Sequence, residues 1–111
     1  MEVAALTYEL TAAFPSREQF GLTSQMRRSS VSIPSNIAEG SGRESRRDFR
    51  QFVLIARGST CELQTQLMLS IRLGYGQQAK ADHLLRQVDE VGRMLNGLAT
   101  FLKCRATSPK H

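Results

Sequence analysis

At 111 residues the chain has room for one domain and one core. A chain of this size buries roughly two-thirds of its unfolded surface, so neither disulfides nor a metal are needed to fold it. Apolar residues make up 41% and charged residues 23%, a soluble globular balance that excludes a multidomain enzyme, a disulfide scaffold and a disordered chain. The charge is uneven: 15 basic against 10 acidic residues give +5, and 12 of the 15 are Arg. That bias favours bidentate contact with phosphate or carboxylate, or buried ion pairs at an interface, over a merely solvating coat.

The spacing predicts a short first helix from about Glu2 to Ala13, ending at Phe14-Pro15. Leu22, Met26, Ile33 and Ile37 share one face of a second, from about Ser24 to Glu39, with Pro34 inside it. A proline there frees the carbonyl of Ser30, so a kink is expected, with the hydroxyls of Ser29, Ser30, Ser32 and Ser35 satisfying it. Gly40-Ser41-Gly42 then breaks the chain. Ser45-Arg46-Arg47-Asp48 has the form of a capping box and opens a third helix. Its apolar stripe is Phe49, Phe52, Val53, Ala56, Leu63, Leu67 and Ile71, and Gly74-Tyr75-Gly76 ends it. Gly58-Ser59-Thr60 interrupts that stripe, which suggests that a neighbouring helix approaches closely there. A fourth helix from about Gln78 to Lys103 carries an unbroken heptad seam, Ala81, Leu84, Val88, Val91, Leu95, Leu98 and Leu102. Four helices on short turns make an all-α, up-down antiparallel four-helix bundle over residues 1–104, with 105–111 a flexible tail.

No run of about 18 apolar residues could span a membrane. The first residues lack the basic and long apolar regions of a signal peptide. Cys61 and Cys104 have no CxxC spacing, so two reduced thiols in the cytoplasm are expected. Cys61 itself reads as a small buried hydrophobe.

Chemistry concentrates in arginine. Arg27, Arg28, Arg43, Arg46, Arg47 and Arg50 fall within 24 residues, against only Glu39, Glu44 and Asp48. Arg43, Arg46, Arg47 and Arg50 would share one face if the third helix reached back to Arg43. Two readings stand: a phosphate-tracking surface for RNA or DNA, or a solvated face whose arginines pair with those carboxylates across a subunit contact. Phe49 and Phe52 belong to the apolar stripe, so base stacking beside this cluster has little support. A polar stripe, Gln25, Arg28, Ser32, Asn36 and Glu39, runs beside the apolar face of the second helix; it reads as a site, a polar interface or plain solvent contact. Catalytic constellations are absent. A bundle di-metal site needs Glu-x-x-His, and Lys80 stands three residues before His83. No zinc set and no phosphate-binding glycine loop occurs. No catalytic residue, metal ligand or cofactor is expected, and the chain reads as a non-enzyme.

Three stretches resemble a known family: Phe20-Gly21-Leu22-Thr23-Ser24-Gln25-Met26-Arg27-Arg28, Ser32-Ile33-Pro34-Ser35-Asn36-Ile37-Ala38-Glu39-Gly40, and Ile55-Ala56-Arg57-Gly58-Ser59 with Glu62-Leu63 and Leu73-Gly74-Tyr75. They are similar to the bundle proteins encoded in intervening sequences of bacterial 23S rRNA genes. The chain is also similar to the accessory variability determinant of diversity-generating retroelements, a basic pentameric bundle that engages a reverse transcriptase and nucleic acid. The resemblance implies a left-handed bundle assembled as a ring, a pentamer foremost. It marks Arg27, Arg28, Asn36, Glu39, Arg57 and Glu62; of these Asn36, Glu39, Arg57 and Glu62 are expected to be structural or interface groups. It also implies that the family's first helix begins upstream of this chain's Met1, and Ser29-Ser30 stands where the family has two alanines. The combined expectation is a cytoplasmic homo-oligomer that binds rRNA or another nucleic acid through Arg27, Arg28, Arg43, Arg46, Arg47 and Arg50. The rival is a protein-interaction scaffold whose arginines form subunit contacts.

Overall fold

The structure, a computed structural model, describes residues 1–106, with side chains up to residue 103. Among these are α1 (Glu2–Thr11), a 3₁₀ turn (Ser16–Glu18), α2 (Leu22–Ser41), α3 (Arg46–Arg72) and α4 (Gln78–Ala106), with no strand. Each helix packs on its neighbours around the bundle, and α1 closes the circuit on α4. Contacts fix the directions: Ser32 of α2 meets Ser59 of α3, while Gly40 lies against Phe49 and Phe52. In the same way Arg57 reaches Asn96 and Arg50 reaches Ala99. Consecutive helices are therefore antiparallel, as short connections require.

Local chemistry sets the boundaries. The Ser45 hydroxyl accepts from the Asp48 N–H at 3.0 Å and caps α3. At the other end Gly74 and Gly76 have φ of +74° and +76°, and Tyr75 N–H donates to the Ser70 carbonyl while Gly74 N–H donates to that of Ile71. That is a Schellman closure, in which a left-handed residue turns two orphan carbonyls back onto the chain. The N-terminus of α2 is capped from outside: Glu18 Oε1 accepts from Leu22 N–H at 3.1 Å, and Glu18 Oε2 accepts from the Tyr75 hydroxyl at 3.0 Å. Sequence spacing does not reveal this 3₁₀ turn, which starts α2 two residues earlier than its periodicity suggests. The helix also runs through Pro34 to Ser41. Its serines do not serve the freed carbonyl, because Ser30 Oγ donates to the Arg27 carbonyl and Ser32 Oγ bonds Ser59 Oγ.

The core is a column of Leu10, Met26, Val53, Leu63, Leu67 and Leu84, each buried to within 1%. Of the α4 seam, Val91 and Leu98 are only half-buried, and Ala99 is buried. Buried hydroxyls keep the core dry by bonding within their own helices: Thr7 to the Val3 carbonyl, Thr11 to Thr7, Thr60 to Ala56 and Ser70 to Leu67. The close helix approach occurs at Gly40, where an added Cβ would sit 2.6 Å from Phe52 Cβ, and not at Gly58, where nothing lies within 4 Å. Gly58 faces outward, and its neighbours Ser59 and Thr60 carry the contact.

At 1.5 Å per residue α1 is about 15 Å long and α3 about 40 Å, so the first helix lines only part of a molecule 57 Å in length. The end holding the α2–α3 turn is built from three helices. Helix α4 runs two residues into the segment read as tail; residues 107–111 and the Cys104 side chain, with any disulfide, lie outside what is described.

Candidate nucleic-acid interface

The six arginines do not form one cluster. Helix α3 begins at Arg46, so Arg43 lies outside it and the expected shared face is lost. Arg43 folds back 2.6 Å from Glu39 Oε2 and stacks 4.9 Å over the Phe52 ring. Arg46 turns toward α4, its guanidinium 4.8 Å over Phe101, with Nε and Nη2 buried and without a hydrogen-bond partner among the described residues. One turn later Arg50 Nε donates to the Ala99 carbonyl at 2.9 Å. Arg47, about 100° around the helix from Arg46, is exposed and makes no contact with another described group.

Arg27 and Arg28 sit toward the opposite end. Fifteen residues separate Arg28 from Arg43, or about 22 Å along α2. Arg27 Nε donates to Thr11 Oγ1 at 2.9 Å and its guanidinium covers the Tyr8 ring at 4.5 Å. Arg28 is exposed and contact-free. The same end gathers residues that sequence spacing overlooks. Arg17 lies 6.0 Å over Tyr75, which packs on Phe14 at 5.4 Å. Tyr8 and Phe20 are 45% and 90% exposed. The available signal was negative: Tyr8 falls outside the α1 stripe of Val3, Thr7 and Leu10, and Phe20 belongs to no stripe.

The polar groups marked by family resemblance differ in what they touch. Asn36 Nδ2 donates to the Ser32 carbonyl at 2.8 Å and to Ser32 Oγ at 3.0 Å. Ser32 in turn bonds Ser59 at 2.8 Å, so this network ties α2 to α3. Glu39 holds Arg43, Arg57 makes a long 3.4 Å bond to Asn96, and Glu62 is exposed. The polar stripe is thus half solvent and half tie: Gln25, Arg28 and Glu39 are exposed, while Ser32 and Asn36 are half-buried. Cys61 is exposed, not buried; it falls one position past the core-facing Thr60, and helical phase overrides the burial preference of cysteine.

Electrostatics leaves arginine unspent. Two ion pairs occur among the described residues, Arg43–Glu39 and Arg93–Asp89, both exposed i,i+4 pairs that stabilise little. Arg28, Arg47, Arg72 and Arg86 are exposed with no ion pair, hydrogen bond or ring contact among the described residues. No three His, Cys, Asp or Glu among the described residues converge as a metal site. None of the described helices is long and apolar enough to cross a membrane. An apolar groove of about 370 Å³ lies where α1 begins, between Ile33 and Ile37 of α2 and Val91 and Met94 of α4.

The fold is similar to the crystal structure of a protein of unknown function from the S23 ribosomal protein family of Bacteroides thetaiotaomicron VPI-5482. The TM-score is 0.78 at 26% identity, covering 88% of this chain and 92% of that one. No curated protein matches the sequence. A family model described as 23S rRNA-intervening sequence protein matches residues 1–97, nearly the whole bundle, and the chain therefore belongs to that family.

Proposed function

We propose that the chain is a non-enzymatic, cytoplasmic, homo-oligomeric left-handed bundle that binds structured RNA or DNA through its arginines. The observation that carries this reading is the set of exposed arginines without carboxylate partners, Arg28, Arg47 and Arg72 among them. They leave most of the +5 charge available to phosphates, and a ring, a pentamer foremost, would multiply that field. Arg47 would supply phosphate contacts at the α2–α3 end and Arg28 at the other, and Arg43 would join Arg47 by exchanging its exposed Glu39 pair for a phosphate. Arg46, Arg50 and Arg27 would hold the bundle and orient these contacts.

A second reading, an assembly scaffold, has its own observation: the outer side of α3 exposes Ile55, Met68, Leu69 and Leu73 at 48–58%, with Gly58 open between them. Arg28→Glu combined with Arg47→Glu separates the two. Both side chains are exposed and make no ion pair, hydrogen bond or ring contact among the described residues, so stability should change by less than about 0.5 kcal/mol per site. Anisotropy titration of a labelled 23S rRNA hairpin should show affinity falling at least ten-fold, with the light-scattering mass unchanged. Unchanged affinity refutes nucleic-acid binding through these arginines. A loss of mass with no RNA bound by the parent protein favours the scaffold.

A further inference from the structure

We infer that the groove between the start of α2 and the outer face of α1 is a stacking site for unpaired nucleotides. This inference rests on the nucleic-acid reading above and narrows its ligand to a single-stranded segment, such as an RNA loop. Phe20 is the starting point. It is 90% exposed, so nearly all the stabilisation that burying a phenyl ring supplies is forgone. A lone exposed apolar residue needs no explanation, but Phe20 is not alone. With Tyr8, Arg27 and Arg28 it lines one concavity of about 380 Å³, within the range of roughly 300–1,000 Å³ typical of small-ligand clefts.

The concavity offers two flat surfaces and a cation. Phe20 presents its ring to solvent. Tyr8 carries the Arg27 guanidinium at 4.5 Å on one face, and Thr11 fixes that guanidinium by accepting its Nε–H at 2.9 Å. A held guanidinium plane is itself a surface on which bases stack. Arg28 is exposed beside them with no partner, free to meet a phosphate. Thr23 and Ser24 on the wall supply hydroxyls to base edges or sugar. Glu18, in the loop before α2, is held in place by Leu22 N–H and the Tyr75 hydroxyl and does not line the concavity. Aromatic faces beside unpaired arginines are the chemistry that binds single strands with little sequence preference. A duplex, whose bases are already stacked, could use only the cation.

The experiment titrates labelled ten-nucleotide oligouridylate and a blunt RNA duplex of equal length, using the full chain and the variants Phe20→Ala, Phe20→Leu and Phe20→Trp. The unmodified protein should bind the single strand more tightly than the duplex. Phe20→Ala and Phe20→Leu should each weaken single-strand binding about ten-fold, within the contribution of one stacked base, and leave duplex binding unchanged. Phe20→Trp, which restores a π face that leucine lacks, should restore it. Equal single-strand affinity in all four proteins overturns this inference while leaving the broader reading intact. Failure of both RNAs to bind the unmodified protein overturns both. A fall in light-scattering mass with Phe20→Ala would make the groove a contact between copies, and would also overturn it.

Discussion

The same substitution, glycine to alanine, should have opposite effects at Gly40, which packs on Phe52 of α3, and at Gly58, six residues or about 9 Å further along that helix. At Gly40 a new Cβ would lie 2.6 Å from Phe52 Cβ and 3.0 Å from Phe49 Cδ1. Ordinary carbon contacts sit at about 3.5–4.0 Å, so α2 and α3 would have to part by about 1 Å. Phe52 Cβ is tied directly to the backbone and cannot swing aside as a chain end could. Overpacking of this kind costs about 1–3 kcal/mol, against a gain of about 1 kcal/mol at most from replacing glycine in a helix. The net result is a loss of up to about 2 kcal/mol. At Gly58 nothing lies within 4 Å, and only the helical gain remains, about 0.5–1 kcal/mol of stabilisation. Urea unfolding followed by circular dichroism should separate the two variants by about 2 kcal/mol, and thermal unfolding should separate their midpoints by roughly 8 °C at about 4 °C per kcal/mol. A Gly40→Ala variant stabilised as much as Gly58→Ala would refute the close approach at the end of the Ser32 to Gly40 motif. A destabilising Gly58→Ala would mean that the outer face of α3 is covered in solution.

Smaller perturbations test the ties that hold the ends and the middle. Ser45→Ala should cost about 1 kcal/mol in urea unfolding by removing the α3 cap, with exchange protection lost in the first turn; uniform protection would contradict it. A double-mutant cycle on Ser32→Ala and Ser59→Ala should give a coupling near 1 kcal/mol for the 2.8 Å interhelical bond; additive effects would deny it. Tyr75→Phe should cost about 1 kcal/mol, and exchange should quicken from Ser16 to Leu22, because the hydroxyl holds Glu18 and Glu18 caps α2; unchanged exchange there would show that the loop holds itself.

Helices were legible in this sequence wherever their signals were local. Ser45 and Asp48 at one end of α3 and Gly74 at the other mark its limits because caps act within a few residues. The α4 seam was readable because packing repeats every turn. The exposure of Cys61 was also implicit in the phase set by Ala56, Leu63 and Leu67, and was obscured only by the general habit of cysteine. The arginine site was far less legible. Six arginines close in sequence separate in space because a rigid helix lies between Arg28 and Arg43. Whether each is free depends on residues far along the chain: Phe101 takes Arg46, Ala99 takes Arg50 and Tyr8 takes Arg27. No spacing rule reaches that distance. Phe20 opens one of the family-like stretches, but a residue outside every periodic stripe shows no surface role until its spatial neighbours are known.

The central claim, that the unspent arginines meet phosphates, is tested most directly by the salt dependence of RNA affinity. Each phosphate neutralised contributes about −0.7 to the slope of log K against log salt for a single strand and about −0.9 for a duplex. With Arg28, Arg47 and Arg72 engaged on each chain that binds, the slope should be about −2 to −3 per chain. Arg47→Glu should flatten it by about one. A slope near zero, or one that Arg28→Glu and Arg47→Glu leave unchanged, would contradict the account.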